Sequence, residues 1–238
     1  MAIYLCHEQP DLLIHDAEVV ASRPGAVVLS RSAFHPGGGG QVSDRGIVTW
    51  SDGEAAVTGV ELDGDLWWHL LDRDVEPTGA VEVHVDGDHR HRVASLHTMS
   101  HVLNAFVFDE FSGALVTGAQ INGDGTGRMD FDLPQVDNDR VRALEAPVND
   151  VIGRDLAVST VYVDAGDADA VAGLVRSMSV APPPTPDGRL RIVDIDGLDR
   201  QACGGTHLSH TGASPRIRIT KVENKGRHNR RVRFMFAE

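Results

Sequence analysis

The feature that most restricts the fold is a change of pattern at Asp88. Before it, short apolar runs alternate with Asp-Gly and Gly-Asp turns, for example at residues 51–53 and 63–65. Val81–Val85 alternates apolar and polar residues, as a half-buried strand does. Short strands with frequent turns are typical of small barrels and sandwiches. Residues 1–88 are therefore predicted to form a β-rich N-terminal domain of one of these two kinds.

After Asp88 the pattern becomes helical. Arg90–Phe111 has apolar residues at helical spacing, and Asp137–Ile152 is a second predicted helix that Pro147 should kink or split. Asp167–Val175 is a short third helix candidate. Strands are predicted at Arg128–Leu133, Leu156–Val163, Leu190–Ile195, Arg216–Val222 and Arg231–Phe236. Helices grouped with an antiparallel sheet predict an α+β layered domain over residues 89–238.

Composition excludes several classes of protein. The 238 residues are 41% hydrophobic and 24% charged, which excludes an intrinsically disordered chain. No apolar run approaches the ~20 residues that a membrane-spanning helix needs. The start of the chain lacks the pattern of a signal peptide. Because two cysteines, Cys6 and Cys203, cannot form a disulfide framework, we expect a soluble, cytoplasmic protein.

The charge is unevenly spread along the chain. The net charge is −13, yet residues 216–238 hold eight Arg and Lys residues against Glu223 and Glu238, a net charge of +6. The rest of the chain therefore carries −19. This asymmetry indicates one anion-binding face on an acidic body. A solvated basic edge strand is the alternative interpretation.

Two short motifs supply metal-ligand chemistry. His97 and His101 lie four residues apart on a predicted helix, which places both imidazoles on one face. Cys203-Gly204-Gly205-Thr206-His207 adds a thiolate and an imidazole. Three imidazoles and one thiolate favour zinc over calcium or magnesium. Thr98 stands where zincin peptidases carry a catalytic glutamate, which disfavours a peptidase.

A third motif is a run of four glycines, Gly37–Gly40, followed by Gln41 and Asp44. Glycines allow backbone N–H groups to approach an anion or another backbone closely. The run is not a Walker loop, because Lys-Ser/Thr does not follow it. It is either an ordered turn, which the preceding proline favours, or a flexible hairpin tip.

These motifs together resemble the AlaX group of freestanding alanyl-tRNA editing proteins, relatives of the editing domain of alanyl-tRNA synthetase. The resemblance covers about Phe34 to Phe236 and includes the closing segment from Glu223 to Arg231, with its basic strand–turn–strand pattern. The glycine-rich motif resembles the medium form of the group. One departure is His35, where relatives often have tyrosine.

The resemblance implies a translation-factor-like β-barrel followed by an α/β editing core with zinc as cofactor. The implied reaction is hydrolysis of the ester in tRNA(Ala) mischarged with serine or glycine. Zinc would be held by His97, His101, Cys203 and His207. Because four protein ligands make a closed site, either one ligand, taken to be His207, is weakly held, or zinc expands to five-coordination, or zinc only orients the substrate. The predicted tRNA-binding residues are Gly38, Gly39, Gly40, Gln41, Lys225, Arg227 and Arg230.

Recognition of the serine hydroxyl has two candidates. Thr98 is the first, although it is equally a helix threonine that bonds to its own backbone. Gln120 is the second, although it could be a turn residue. Three alternative functions remain: a threonyl-type editing domain, a non-catalytic zinc module that binds RNA, and a general zinc esterase or amidase.

Overall fold

The computed structural model describes residues 3–134, 136–168, 174–178, 185 and 188–237. The chain divides into two compact units. The first comprises Met1–Gly38 and Val42–His91, and the second comprises Gly39–Gln41 and Arg92–Glu238. Gly39, Gly40 and Gln41 of the glycine-rich motif therefore belong to the second unit, whereas Asp44 belongs to the first.

The first unit is a closed β-barrel. Its described elements are β1 Ile3–Tyr4, α1 Leu5–Glu8, β2 Ile14–Arg23, β3 Ala26–Leu29, β4 Arg31–Ser32, β5 Gly46–Trp50, β6 Gly53–Asp63, β7 Leu66–Leu71 and β8 Gly79–Val85. Antiparallel strands close the barrel in the order β2-β3-β7-β6-β5-β8, while β1 pairs with β4 in parallel. Val81, Val83 and Val85 point alternately inward and are buried in the barrel core. Of the two predicted architectures, the structure is the barrel.

A buried ion pair orders the glycine-rich motif at both of its ends. The Arg90 Nε lies 3.0 Å from each carboxylate oxygen of Asp44, and both side chains are almost fully buried. The Asp44 carboxylate also accepts the His35 backbone N–H at 2.6 Å, and the two backbones pair again at 2.9 Å. Buried charges need such partners. Within the motif, the Gly37 N–H donates to the His35 ring at 3.0 Å.

The second unit contains two antiparallel sheets and one long helix. Its described elements are α2 Gly87–Glu110, which starts within the first unit, β9 Val116–Ile121, β10 Thr126–Asp132, α3 Asn138–Arg142, α4 Glu145–Arg154, β11 Val158–Asp164, α5 Ala165–Ala168, β12 Arg189–Ile195, β13 Asp199–Ala202, a 3₁₀ turn Thr211–Ala213, β14 Ile217–Lys225 and β15 Asn229–Phe236. One sheet has the order β14-β15-β10-β9 and the other β11-β12-β13. The predicted α+β class is confirmed.

Helix α2 is buried at every position from residue 93 to residue 105. Its buried residues include polar ones, among them His97, Thr98, His101 and Asn104. A helix interior to a domain is normally apolar all round, so these polar side chains require internal partners. None of the helices in the described part of the chain combines the length and the apolar character needed to cross a bilayer.

The structure differs from the predicted elements at several places. The predicted helix 137–152 is split, as expected, into α3 and α4, but the break falls before Pro147, which lies in the first turn of α4, where a helix needs no proline N–H. Strands β9 and β13 were not predicted, because the Gly-Ala-Gln stretch of β9 and the polar sequence of β13 have low strand propensity. The predicted helix 167–175 lies mostly outside the described residues.

Candidate metal centre

Helix α2 supplies the first two predicted ligands. His97 and His101 are one helical turn apart on the same face, 7% and 8% exposed, with ring centroids 5.4 Å apart. The Ser100 hydroxyl donates to the His97 carbonyl at 2.7 Å, so this neighbouring polar group is satisfied within the helix. The helix thus presents two imidazoles inside the second unit.

The loop after β13 supplies the other two predicted ligands. Arg191 on β12 clamps this loop, because its guanidinium donates to the carbonyls of Cys203 at 2.7 Å and Gly205 at 2.9 Å. A Cβ atom at Gly205 would lie 2.1 Å from the His97 ring, so only glycine permits this approach. The Gly205 N–H also donates to the Cys203 sulfur at 3.3 Å, a contact that favours the thiolate.

The four predicted ligands lie together, in what is called the cluster below, and could hold a metal ion. The ligating atoms of His97, His101, Cys203 and His207 are all within 4.8 Å of one another. The Cys203 Sγ is 3.5 Å from the His97 Nε2 and 3.3 Å from the His207 Nε2. A tetrahedral zinc ion with ordinary bond lengths would place sulfur and nitrogen about 3.6 Å apart. The donor types and these spacings therefore fit zinc.

Each histidine meets a different partner through its Nδ1 atom. The His97 Nδ1 is 2.7 Å from the Gln41 amide oxygen, and the His207 Nδ1 is 3.3 Å from the Thr98 hydroxyl. The His101 Nδ1 is 3.4 Å from the carboxylate of Asp199, whose side chain is fully buried. Such outer partners orient metal-binding imidazoles and select the tautomer that leaves Nε2 free to bind.

The electrostatics of the cluster favour a thiolate. Burial alone would raise the pKa of the Cys203 thiol, but the charges of His97, His207 and His101 hold that pKa well below its usual value. Burial would lower the pKa of His101, yet the Cys203 thiolate and Asp199 raise it to about 9. Burial and the neighbouring His97 lower the pKa of His207 well below its usual value.

The two candidates for serine recognition are placed differently. The Thr98 side chain is fully buried, and its hydroxyl accepts the Leu208 N–H at 3.1 Å in addition to its contact with His207. Gln120 lies exposed on β9, not in a turn, and its amide bonds to Arg128 and Asn122. Thr98 thus contacts one of the four predicted ligands, whereas the hydrogen bonds of Gln120 lie along the sheet.

Some residues with predicted tRNA contacts are exposed and others are buried. Gly38 and Gly39 are exposed with φ values of 105° and 59°, while Gln41 is only 4% exposed and faces the cluster. Lys225 and Arg227 are exposed at the β14–β15 turn, but Arg230 is 6% exposed.

Much of the C-terminal positive charge is already paired. Arg231 makes two hydrogen bonds to Asp130, at 2.7 and 2.8 Å. Arg233 and Lys221 each lie 2.9 Å from Glu223, and their hydrogen bonds lower the pKa of Glu223 to about 2. The exposed Lys225 and Arg227 are therefore the better candidates for phosphate contact.

Sequence reasoning missed the residues that support the ligands. Asp199 holds His101 and also meets Arg176 at 2.9 Å, while the Gln201 amide donates to Asp199 at 2.6 Å. Asp199 and Gln201 alternate inward on β13, which was not predicted as a strand. Residues 199–201 are polar throughout and show no alternation that would indicate a strand.

The chain is similar to proteins and domains that edit or charge tRNA. Residues 190–233, which include Cys203 and His207, match the family model described as the second additional domain of threonyl and alanyl tRNA synthetases. The chain is 35% identical over 223 residues to the alanyl-tRNA editing protein AlaX-M of Methanosarcina acetivorans, with 89% of both chains covered. It is 32% identical over 228 residues to AlaX-M of Saccharolobus solfataricus, with 92% of both covered. The chain therefore belongs to the AlaX-M family of alanyl-tRNA editing proteins, as the resemblance indicated.

A larger relative shares only part of its length with this chain. The alanine–tRNA ligase of Methanopyrus kandleri is 32% identical over 214 residues, which are 89% of this chain but 23% of the ligase. The chain thus spans about a quarter of the ligase.

We predict about one zinc ion per chain, held by His97, His101, Cys203 and His207. Elemental analysis of untagged protein should find it, and Cys203→Ala and His97→Ala should each lose most of it because a ligand is removed. Cys6→Ala is the matched control, since Cys6 is a buried cysteine of the first unit outside the cluster. Full zinc retention in both His97→Ala and Cys203→Ala would disprove the assignment.

Proposed function

We propose that the protein is a trans-editing deacylase that hydrolyses Ser-tRNA(Ala), and more slowly Gly-tRNA(Ala), with zinc as cofactor. The observation that carries the proposal is the cluster of three imidazoles and one thiolate in a chain of the AlaX-M family. Residues 1–88 would form the translation-factor-like barrel domain and residues 89–238 the zinc-binding deacylase domain. The protein would act in the cytoplasm.

The reaction is hydrolysis of an activated ester. Water adds to the carbonyl carbon and the bond to the ribose oxygen breaks, which releases the amino acid and restores the ribose hydroxyl. Such a reaction needs a placed water and a stabilised oxyanion. A bound zinc ion would supply a Lewis acid for the carbonyl or a water of lowered pKa.

His207 is the ligand proposed to give up its position on zinc to the substrate or the attacking water. Four protein ligands make a closed set, whereas catalytic zinc keeps one position open, so one ligand should be held less firmly. His207 is the most exposed histidine of the cluster, and its Nδ1 partner is a neutral hydroxyl 3.3 Å away. His101, by contrast, faces the carboxylate of Asp199.

Thr98 is the proposed contact for the serine hydroxyl. With the His207 Nε2 directed at the cluster, its Nδ1 carries a proton and donates to the Thr98 oxygen, which also accepts the Leu208 N–H. A hydroxyl has two acceptor lone pairs and one donor, so the Thr98 O–H is left to donate. Alanine would leave this buried donor unpaired, at a cost of roughly 1–3 kcal/mol. Gln120 is the weaker candidate, because it lies exposed on β9.

Editing by a second site has a physical reason. A pocket built for alanine rejects serine poorly, because one added hydroxyl gives roughly 10²-fold discrimination. A site that hydrogen-bonds the hydroxyl spares alanine, since alanine cannot replace the bond. The proposed partner is therefore tRNA(Ala) mischarged with serine or glycine, contacted by the exposed Gly38 and Gly39, by Gly40, and by Lys225, Arg227 and Arg230.

A second candidate function is a zinc-containing RNA-binding module without catalysis. The closed set of four protein ligands favours it, because structural zinc sites are of this kind. Such a module would bind zinc and tRNA but show no turnover. A threonyl-type editing domain would instead act on a different tRNA.

We predict that the protein clears Ser-tRNA(Ala) about 5–150-fold faster than Ala-tRNA(Ala), which corresponds to the cost of one unpaired buried group. Gly-tRNA(Ala) should be cleared more slowly than Ser-tRNA(Ala), since glycine has no hydroxyl. At saturating zinc, which offsets the loss of the His207 Nδ1 partner, Thr98→Val should bring the serine rate toward the alanine rate. Thr98→Ser, which keeps the hydroxyl, should keep the wild-type discrimination. Deacylation assays with and without a chelator, together with zinc analysis, measure these effects.

The matched control for this series is Thr211→Val. Thr211 is fully buried in the second unit and bonds to Leu156 and Val151, outside the cluster. It should lose stability but keep its discrimination. Equal clearance of serine and alanine by the wild-type protein would contradict the pocket. A Thr98→Val variant with wild-type rates would leave Thr98 as a structural residue.

We predict that the β14–β15 turn contacts tRNA phosphates. Replacing both Lys225 and Arg227 with alanine should weaken tRNA(Ala) binding, because fewer phosphate charges are neutralised. The salt slope of binding should fall by about one unit for each phosphate that is no longer neutralised. Zinc content should not change. Binding isotherms at several salt concentrations measure the slope.

The charge-matched control replaces Arg140 and Arg154, which are exposed on α3 and α4. It lowers the net charge by the same amount but leaves the turn intact. If both double variants shift binding equally, or neither does, the turn is not a specific contact.

A further inference from the structure

The side chain of Gln41, which follows the four glycines, contacts the cluster of proposed metal ligands. Its side chain is 4% exposed. The amide oxygen lies 2.7 Å from the His97 Nδ1 and accepts the Thr206 N–H at 3.0 Å, while the amide nitrogen donates to the Thr206 hydroxyl at 3.0 Å. One buried amide thus joins helix α2 to the loop that carries Cys203 and His207.

The hydrogen bonds determine the tautomer of His97. A backbone N–H can only donate, so the Gln41 atom that meets the Thr206 N–H must be the oxygen. The His97 Nδ1 meets the same oxygen and must therefore carry the proton. The lone pair of His97 is then on Nε2, the atom that faces the Cys203 sulfur at 3.5 Å.

Two glycines make this approach possible. The Gly40 carbonyl accepts the Ile121 N–H at 2.7 Å, and a Cβ at Gly40 would lie 2.6 Å from the Ala119 carbonyl oxygen. A Cβ at Gly205 would lie 2.7 Å from the Gln41 amide oxygen. The backbone segment bearing Gln41 therefore packs against β9 at a distance that a side chain would prevent.

We infer that Gln41 is a positioning residue for the ligand His97, and that Gly40 serves to bring it there. This inference rests on the proposed zinc site. The Gln41 amide fixes the ring orientation and tautomer of His97, and its link to Thr206 holds the loop of Cys203 and His207 against the helix. A contact with tRNA is a different role, for which the buried amide would have to break these bonds.

The test compares zinc affinity in two variants of Gln41 with similar size. Gln41→Leu removes the acceptor for the His97 Nδ1 and should weaken zinc binding about 10–100-fold, as loss of an outer partner does. Gln41→Glu keeps an acceptor, and the Thr206 hydroxyl can turn to donate to it. Its loss of zinc affinity should therefore be smaller than the about 10-fold minimum expected for Gln41→Leu. Competition with a chromophoric chelator measures the affinity, and the visible spectrum of the cobalt-substituted protein reports ligand geometry.

A glycine pair provides a second test that leaves Gln41 unchanged. Gly40→Ala must displace the segment from Ala119 and should lower zinc affinity as Gln41→Leu does. Gly39→Ala is the matched control. Both glycines have a positive φ, so alanine is strained at either position, but nothing lies within 4 Å of the Cβ position of Gly39. It should bind zinc as the wild type does.

The outcomes separate this inference from the metal assignment. If the wild-type protein binds no zinc, the proposed site itself fails. If the wild type binds zinc and Gln41→Leu matches it in affinity and in cobalt spectrum, the positioning role of Gln41 is wrong. If Gln41→Leu does not fold, equal zinc affinity of Gly40→Ala and Gly39→Ala, with an unchanged cobalt spectrum, would also contradict that role.

Discussion

The second unit depends on holding three imidazoles around one buried thiolate. Burial penalises every charged form of these groups, and the Cys203 pKa stays low only because the histidines surround it. A cluster of this kind would be costly inside an apolar core unless each nitrogen has a partner. A metal ion that fits the donor spacing would supply the partner for the Nε2 atoms and the sulfur.

The Nδ1 atoms need partners of their own, and these shape the surrounding fold. An amide oxygen, a carboxylate and a hydroxyl meet His97, His101 and His207, respectively. The charge of the partner differs between the three ligands. His101 faces a carboxylate, whereas His207, the most exposed histidine, faces a neutral hydroxyl. His207 would therefore be the easiest of the three histidines to displace from a bound metal ion.

Local patterns in the sequence predicted the four candidate ligands and a β-rich first domain, and the family resemblance favoured a barrel over a sandwich. H-x-x-x-H fixes a shared helix face, and turns between short apolar runs specify hairpins. Thr98, the partner of His207, was singled out from the sequence, but for another role. The supporting roles of Asp199 and Gln41 were not predictable, since Asp199 comes from a strand with weak propensity and Gln41 acts through a contact far away in sequence. The ion pair between Arg231 and Asp130 was also not predictable, because it depends on the register between β10 and β15.

X-ray absorption at the zinc edge tests the central claim most directly, since it counts the atoms around the metal. The account predicts one sulfur at about 2.3 Å and three nitrogens at about 2.0–2.1 Å in the wild-type protein. Cys203→Ala should lose most of the zinc, and the zinc that remains should show no sulfur shell. A wild-type spectrum without sulfur, or a sulfur shell that persists in Cys203→Ala, would contradict it.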